Sequence, residues 1–281
     1  MIIDVHTHIF PPGIRHAREQ FFAGEEAFEL LYSSPKSRLV GARELVAQMD
    51  AEGVDKSVVF GFPWASLETS RANNDYVLEA VQRYPERLLG LACLTPCGEE
   101  AAAEVERCLD AGLAGVGELA FYQCGIEECH LDDLAPIMAL CRARPAPVMI
   151  HTNEPVGHIY PGKSPNTLKQ IYDLVRRFPG NVIILAHWGG GILFYNLLKK
   201  EAKAALQNVW FDTAASPYLY DPAIYAIAAQ TVGSDKILFG SDYPLLPPRR
   251  YFKEMRDAGL GAAERVAVCG GNAARVFNLT A

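Results

Sequence analysis

The sequence predicts a (β/α)8 barrel, an α/β fold built as a single domain over residues 1–281, with its active site at the C-terminal ends of the strands. Three observations predict it. Short runs rich in Val, Ile and Leu alternate with helical runs from end to end. Within the short runs, apolar residues mostly follow one another without polar interruption, as in parallel strands buried on both faces. The length of 281 residues suits a fold whose usual size is ~250 residues. A doubly wound open sheet shares the alternation, but normally brings a glycine-rich phosphate turn after its first strand. Here that strand runs into His6-Thr7-His8. Neither a Pro/Gly/Ser-rich linker nor a low-complexity stretch divides the chain.

The strands read as residues 2–6, 56–61, 88–93, 115–119, 148–151, 182–187, 209–213 and 237–241. A helix over 44–52 sets Leu45 and Met49 four apart and stops at Gly53. The next, 73–83, ends before Pro85. The run 99–110 opens with two acids, which suit a helix N-terminus, and ends before Gly112. Helical runs follow at 131–142, 165–177, 192–205, 222–230 and 249–256.

A hydrophobic fraction of 50% with 21% charge is a globular balance and excludes a disordered or fibrous chain. The net charge of −7 repels phosphate backbones and anionic lipid, so neither nucleic acid nor a membrane is expected as a partner. The longest uncharged stretch, 178–198, holds Pro179, Asn181, His187, Asn196 and four glycines, and reads as strand, turn and helix instead of a span. The N-terminus has no basic segment and places Asp4 where a signal peptide would be apolar. Seven scattered cysteines without paired spacing read as buried free thiols in a reducing compartment, so a cytoplasmic location is expected.

The polar residues that interrupt this pattern gather at strand ends. His6 and His8, two apart, point to the same side. Strand 4 ends at Glu118, strand 5 at His151, strand 6 at His187, and strand 8 runs into Asp242. A lone histidine after a strand is commonly a hydrogen-bonded core residue, and Asp242 could cap a turn before Pro244. Their joint placement where barrel chemistry is built favours a site, and imidazole with carboxylate is the ligand set of zinc or a similar divalent ion. Substrate contacts are expected from Asn153 and Tyr160 in the long polar segment 152–163, from Trp188 beside His187, and from Arg249, whose guanidinium could hold a carboxylate.

His6-x-His8, His151, His187 and Phe239-Gly240-Ser241-Asp242-Tyr243-Pro244 resemble the amidohydrolase superfamily. The likeness is to the amidohydrolase-related branch, which includes metal-dependent hydrolases and aminocarboxymuconate semialdehyde-type decarboxylases. Agreement extends through residues 74–91 and 271–277. The resemblance implies that His6, His8 and Asp242 bind metal, with His151 as ligand and His187 as ligand or substrate polariser. Glu118 stands where the superfamily usually carries a bridging carboxylated lysine, as a glutamate does in TatD-like deoxyribonucleases. One or two ions are therefore expected, zinc first, with manganese or iron as alternatives.

The expected function is a metal-dependent hydrolase acting on an amide, ester or lactone of a small organic acid. Metal binding would bring the pKa of a water toward ~7. Asp242 would accept its proton, and His187 would polarise the scissile carbonyl. A metal-dependent, non-oxidative decarboxylase or lyase is the alternative. A nuclease, disfavoured by the charge, and a non-catalytic ligand-binding barrel stand behind it. A small-molecule substrate is expected, with homo-oligomerisation left open.

Overall fold

A computed structural model describes residues 1–279. Eight parallel strands lie in sequence order: β1 (Ile3–His8), β2 (Lys56–Phe60), β3 (Leu88–Ala92), β4 (Gly115–Leu119), β5 (Val148–Ile150), β6 (Ile183–Leu185), β7 (Val209–Asp212) and β8 (Ile237–Leu238). The sheet turns back on itself. Val5 N–H donates to Phe239 O at 2.8 Å, His8 N–H to Tyr243 O at 2.9 Å, and Thr7 bridges Tyr243. Asp4 and Ser241 fasten the same seam, with Ser241 N–H donating to Asp4 Oδ1 at 2.9 Å. This is the (β/α)8 barrel expected from the sequence.

All six residues of β1 are buried, Asp4, His6, Thr7 and His8 among them, as are all five of β4. Ile3, Val5, Phe60, Leu91, Met149, Ile184 and Leu238 belong to one cluster, with Trp210 of β7 and Ala273, Val276 and Phe277 packed on it. Larger clusters join other strand residues to the surrounding helices: Val116, Val148, Leu185 and Phe211 pack with Leu134, Ile171 and Met255. At Gly117, with φ of 134°, a Cβ would come within 2.6 Å of Met149 O, so the close β4–β5 approach requires glycine.

Three segments depart from expectation. The stretch between β1 and β2 forms Pro12–His16, a 3-10 turn at Arg18–Phe21, and Glu26–Tyr32. Phe28, Phe62 and Trp64 hold it over the barrel mouth, while Glu25 accepts the Ala65 and Ser66 N–H groups at 2.8 Å each. The single helix expected over 192–205 is a 3-10 segment, His187–Leu197, and a short helix, Glu201–Ala205. Within that span, positive φ at Lys200 breaks the α-helical path. Past Gly261 come Ala262–Val266, a π turn at Ala267–Gly271, and Asn272–Val276. No described helix is long and apolar enough to cross a membrane. The cysteines are free, but Cys97, Cys124 and Cys129 are exposed, so burial does not protect every thiol.

Candidate metal centre and active site

The strand ends converge as their positions require. His6 and His8 lie two apart on β1, Glu118 lies on β4, and His151, His187 and Asp242 follow β5, β6 and β8. His187 and Asp242 have φ of 55° and 58°. Left-handed backbone at a non-glycine residue costs ~1–3 kcal/mol and persists where neighbours over-determine it. His187 N–H donates to Asp212 Oδ1 at 2.9 Å, while Asp242 O accepts Leu245 N–H at 2.7 Å. Gly190 lies so close to the Asn153 carbonyl that a Cβ there would collide with it.

Three histidines are anchored in one sense. His6, His8 and His187 donate from Nδ1 to Asp212 Oδ2, Gly61 O and Ala214 O, each at 2.9 Å. Neither a carboxylate nor a carbonyl can donate, so the proton belongs on Nδ1 and Nε2 faces inward. His151 is held the other way: Nε2 meets Gly162 O at 2.9 Å, and Nδ1 lies 3.0 Å from Glu118 Oε1.

Two carboxylates fill the space between the rings. Glu118 Oε2 is 3.6 Å from His6 Nε2, and its Oε1 is 3.5 Å from His187 Nε2. Asp242 Oδ1 is 3.7 Å from His6 Nε2 and 3.4 Å from His8 Nε2. Three overlapping groups result: His6, His8 and Glu118; His6, His187 and Asp242; and Glu118, His151 and His187. In each, the potential ligand atoms lie within 4.8 Å of one another. His6 Nε2 is buried without a hydrogen-bond partner. An inward-facing orphan nitrogen among carboxylates fits a divalent cation.

The electrostatics agree. Burial alone would drive the proton off His6, but the charges of Glu118 and Asp212 hold its pKa up at about 10. His187 stands at about 9, its burial outweighed by the hydrogen bond and charge of Glu118. Burial pushes Asp242 up, yet its hydrogen bond to His8 and the charges of His6 and His187 bring it down to about 2. Against its own burial, His6 and His151 hold Glu118 well below the usual carboxylate range. Acids that stay ionised beside histidines that retain protons describe a centre that attracts positive charge.

A cavity of about 640 Å³ opens above this cluster. Phe62 and Tyr122 stack on its wall with ring centres 6.0 Å apart, and Tyr32 and Arg38 descend from the β1–β2 segment. Asn153 and Tyr160 also line it, though both are engaged: Asn153 Oδ1 accepts Ser164 N–H at 2.8 Å, and Tyr160 OH donates to Glu154 at 2.9 Å. Trp188 and Arg249 are not on the wall. Trp188 is fully buried beneath it, donating to Ser216 Oγ at 2.9 Å and packing on Tyr225. Arg249 points outward to Glu52 Oε1 at 2.5 Å, because the helix Pro248–Asp257 carries it on its solvent side. Among the described residues, Arg38 is the guanidinium that faces the cavity.

Asp212, Tyr122 and Arg38 were not anticipated. The signal for Asp212 was present, an acid closing the apolar strand Val209-Trp210-Phe211. Arg38 lay in a segment without a readable period.

A family model described as Amidohydrolase matches residues 3–279. The chain belongs to this amidohydrolase family. It is thereby an enzyme of the amidohydrolase superfamily, as the strand-end motifs implied. It is 24% identical to the 2-amino-3-carboxymuconate-6-semialdehyde decarboxylase of Dictyostelium discoideum over 340 aligned positions, 99% of this chain and 91% of that protein. It is 25% identical to the gamma-resorcylate decarboxylase of a Polaromonas species over 253 positions, 75% of this chain and 77% of that protein. Its fold matches a 5-carboxyvanillate decarboxylase of Novosphingobium aromaticivorans complexed with manganese and 4-hydroxy-3-methoxy-5-nitrobenzoic acid. There the TM-score is 0.78 at 18% identity, covering 99% of this chain and 96% of the other. Hydrolysis, the chemistry expected from the sequence, is overturned by these decarboxylase relatives. The ligand motif fixes an ion in either chemistry, so it could not choose between them. Zinc likewise had no specific support beside the manganese of that amidohydrolase-fold structure.

Proposed function

We propose that this amidohydrolase is a divalent-metal-dependent, non-oxidative decarboxylase of a small aromatic or enoic carboxylic acid. The observation that carries this reading is that both curated relatives, one of them aligned over 99% of the chain, are decarboxylases. His6, His8 and Asp242 would hold the ion, with manganese the first choice, and Glu118 with His151 would hold a further one, which leaves His187 its proton. Bound metal supplies positive charge that orients the acid and stabilises electron density left when carbon dioxide departs. That density has to delocalise, which restricts substrates to unsaturated acids. Phe62 and Tyr122 offer a wall for a planar molecule, and Arg38 offers a cation to an anionic substituent. In the reaction the carbon–carboxylate bond breaks, its electron pair stays on carbon, and a proton takes the vacated position. His187, kept protonated by Glu118 and presenting Nε2 to the cavity, is the group we assign to hold that proton.

The test is a panel of aromatic and enoic acids, with lactones, esters and amides alongside, given to manganese-loaded protein. Release of carbon dioxide with one proton fixed on the product is expected, and His187→Asn should lower turnover ~100-fold or more. Hydrolysis of the neutral panel with no carbon dioxide from any acid would sink the proposal.

A further inference from the structure

The carboxylate of Asp212 is not on the cavity wall, yet it organises two histidines of the centre, His6 and His187. It is fully buried at the end of β7. Its Oδ2 accepts the His6 Nδ1 proton at 2.9 Å. Its Oδ1 accepts His187 N–H at 2.9 Å and Ala214 N–H at 3.0 Å, and Ala214 O in turn receives the His187 Nδ1 proton at 2.9 Å. One side chain therefore ties β1, the turn after β6 and the turn after β7 into a single unit.

We infer that Asp212 is a positioning residue that keeps a proton on His6 Nδ1, so that Nε2 is the nitrogen that yields its proton to the metal. The inference rests on the reading of His6 as a ligand. Imidazole ligates through a nitrogen that carries no proton, and the partner of the opposite nitrogen decides which one that is. Asp212 has only acceptor atoms to offer, so Nδ1 must donate. The outcome is visible across the ring, where His6 Nε2 is buried without a hydrogen-bond partner, 3.6 Å from Glu118 and 3.7 Å from Asp242. His8 and His187 reach the same orientation through backbone carbonyls, which no side-chain substitution can invert. His6 alone of the three depends on a side chain.

That difference gives a test that separates tautomer control from bracing of the fold. Asp212→Asn is isosteric: its Oδ1 can still accept both backbone N–H groups, but its amide presents a donor to His6 Nδ1. The ring must then accept at Nδ1 and carry its proton on Nε2, where the metal should be. Asp212→Ala leaves both backbone N–H groups without their acceptor, yet imposes no tautomer. A bracing role predicts that Ala is the worse substitution in every measurement. Tautomer control predicts a crossed pattern. Metal-free Asp212→Asn should melt above metal-free Asp212→Ala, while its manganese or zinc dissociation constant, read by chelator competition, rises ~10–100-fold over wild type and exceeds that of the alanine variant. Asp212→Asn that binds metal as tightly as wild type, or more tightly than Asp212→Ala, would overturn the inference while leaving the metal reading intact. Wild-type protein that takes up neither ion would remove both.

Discussion

Glu118 is where the chemistry of single residues is decided. Its two oxygens face different partners, Oε2 toward His6 and Oε1 toward His151 and His187. A carboxylate can serve ions on both sides, whereas a neutral amide is a poor bridge. Glu118→Gln is therefore expected to lower metal content by about one ion per chain, with the ion at His6, His8 and Asp242 retained. Elemental analysis beside a melting curve on one preparation checks this. Unchanged stoichiometry with a lowered melting temperature would make Glu118 a structural acid. The strand-end residues were legible because a polar side chain after an apolar run has few structural reasons to be there. Arg38 and Tyr122 were not, since they reach the cavity through loops whose course no periodicity records. Arg249 misled for the opposite reason: its nearness in sequence to the β8 loop says nothing about the helix face that carries it outward to Glu52.

Among the elements, every strand was legible, because burial on both faces writes an apolar run that a helix seldom imitates. The β1–β2 segment was not, since its aromatic residues pack on one another without a helical period. The expected helix over 192–205 failed on conformation, as Lys200 adopts a positive φ that composition alone leaves open. One inter-element contact has a pH signature. Glu104, buried on the helix Glu99–Asp110, accepts Asn74 Nδ2 at 3.0 Å and Arg107 Nε at 2.8 Å, and Asn74 Oδ1 receives Cys93 N–H at 2.9 Å just beyond β3. Burial pushes its pKa up, but the hydrogen bonds from Arg107, Asn74 and Cys108 outweigh it and leave the net shift downward. A depressed carboxyl adds stability above its unfolded pKa of ~4.3 and loses it as the pH falls through the lower folded value. Glu104→Gln should cost ~1–3 kcal/mol at neutral pH. In urea titrations the gap to wild type should close as the pH falls below that range; a gap that widens in acid would contradict the assignment.

For the whole molecule, the closed barrel and its centre are linked through the proton. A ligand that binds only the folded chain raises its stability, by ~2.7 kcal/mol at a hundred times its dissociation constant. At ~2–4 °C per kcal/mol for a chain of roughly this size, chelation should lower the melting temperature by several degrees. The pH dependence has a definite sign. Metal must displace the proton on His6 Nε2, held at about 10, so binding tightens as the pH rises. The metal-free fold moves the other way. A histidine whose folded pKa is raised stabilises fully below its unfolded value of ~6.5, and that contribution is lost as the pH climbs through the folded one. That second effect acts on loaded and chelated protein alike, so the metal-binding effect alone sets their difference, which widens with increasing pH. Paired melting curves between pH 6 and pH 8 should show that difference growing at each step. A constant or shrinking difference would mean that the proton on His6 is not the one the metal displaces, and the ligand set would have to be redrawn around His8, Asp242 and Glu118.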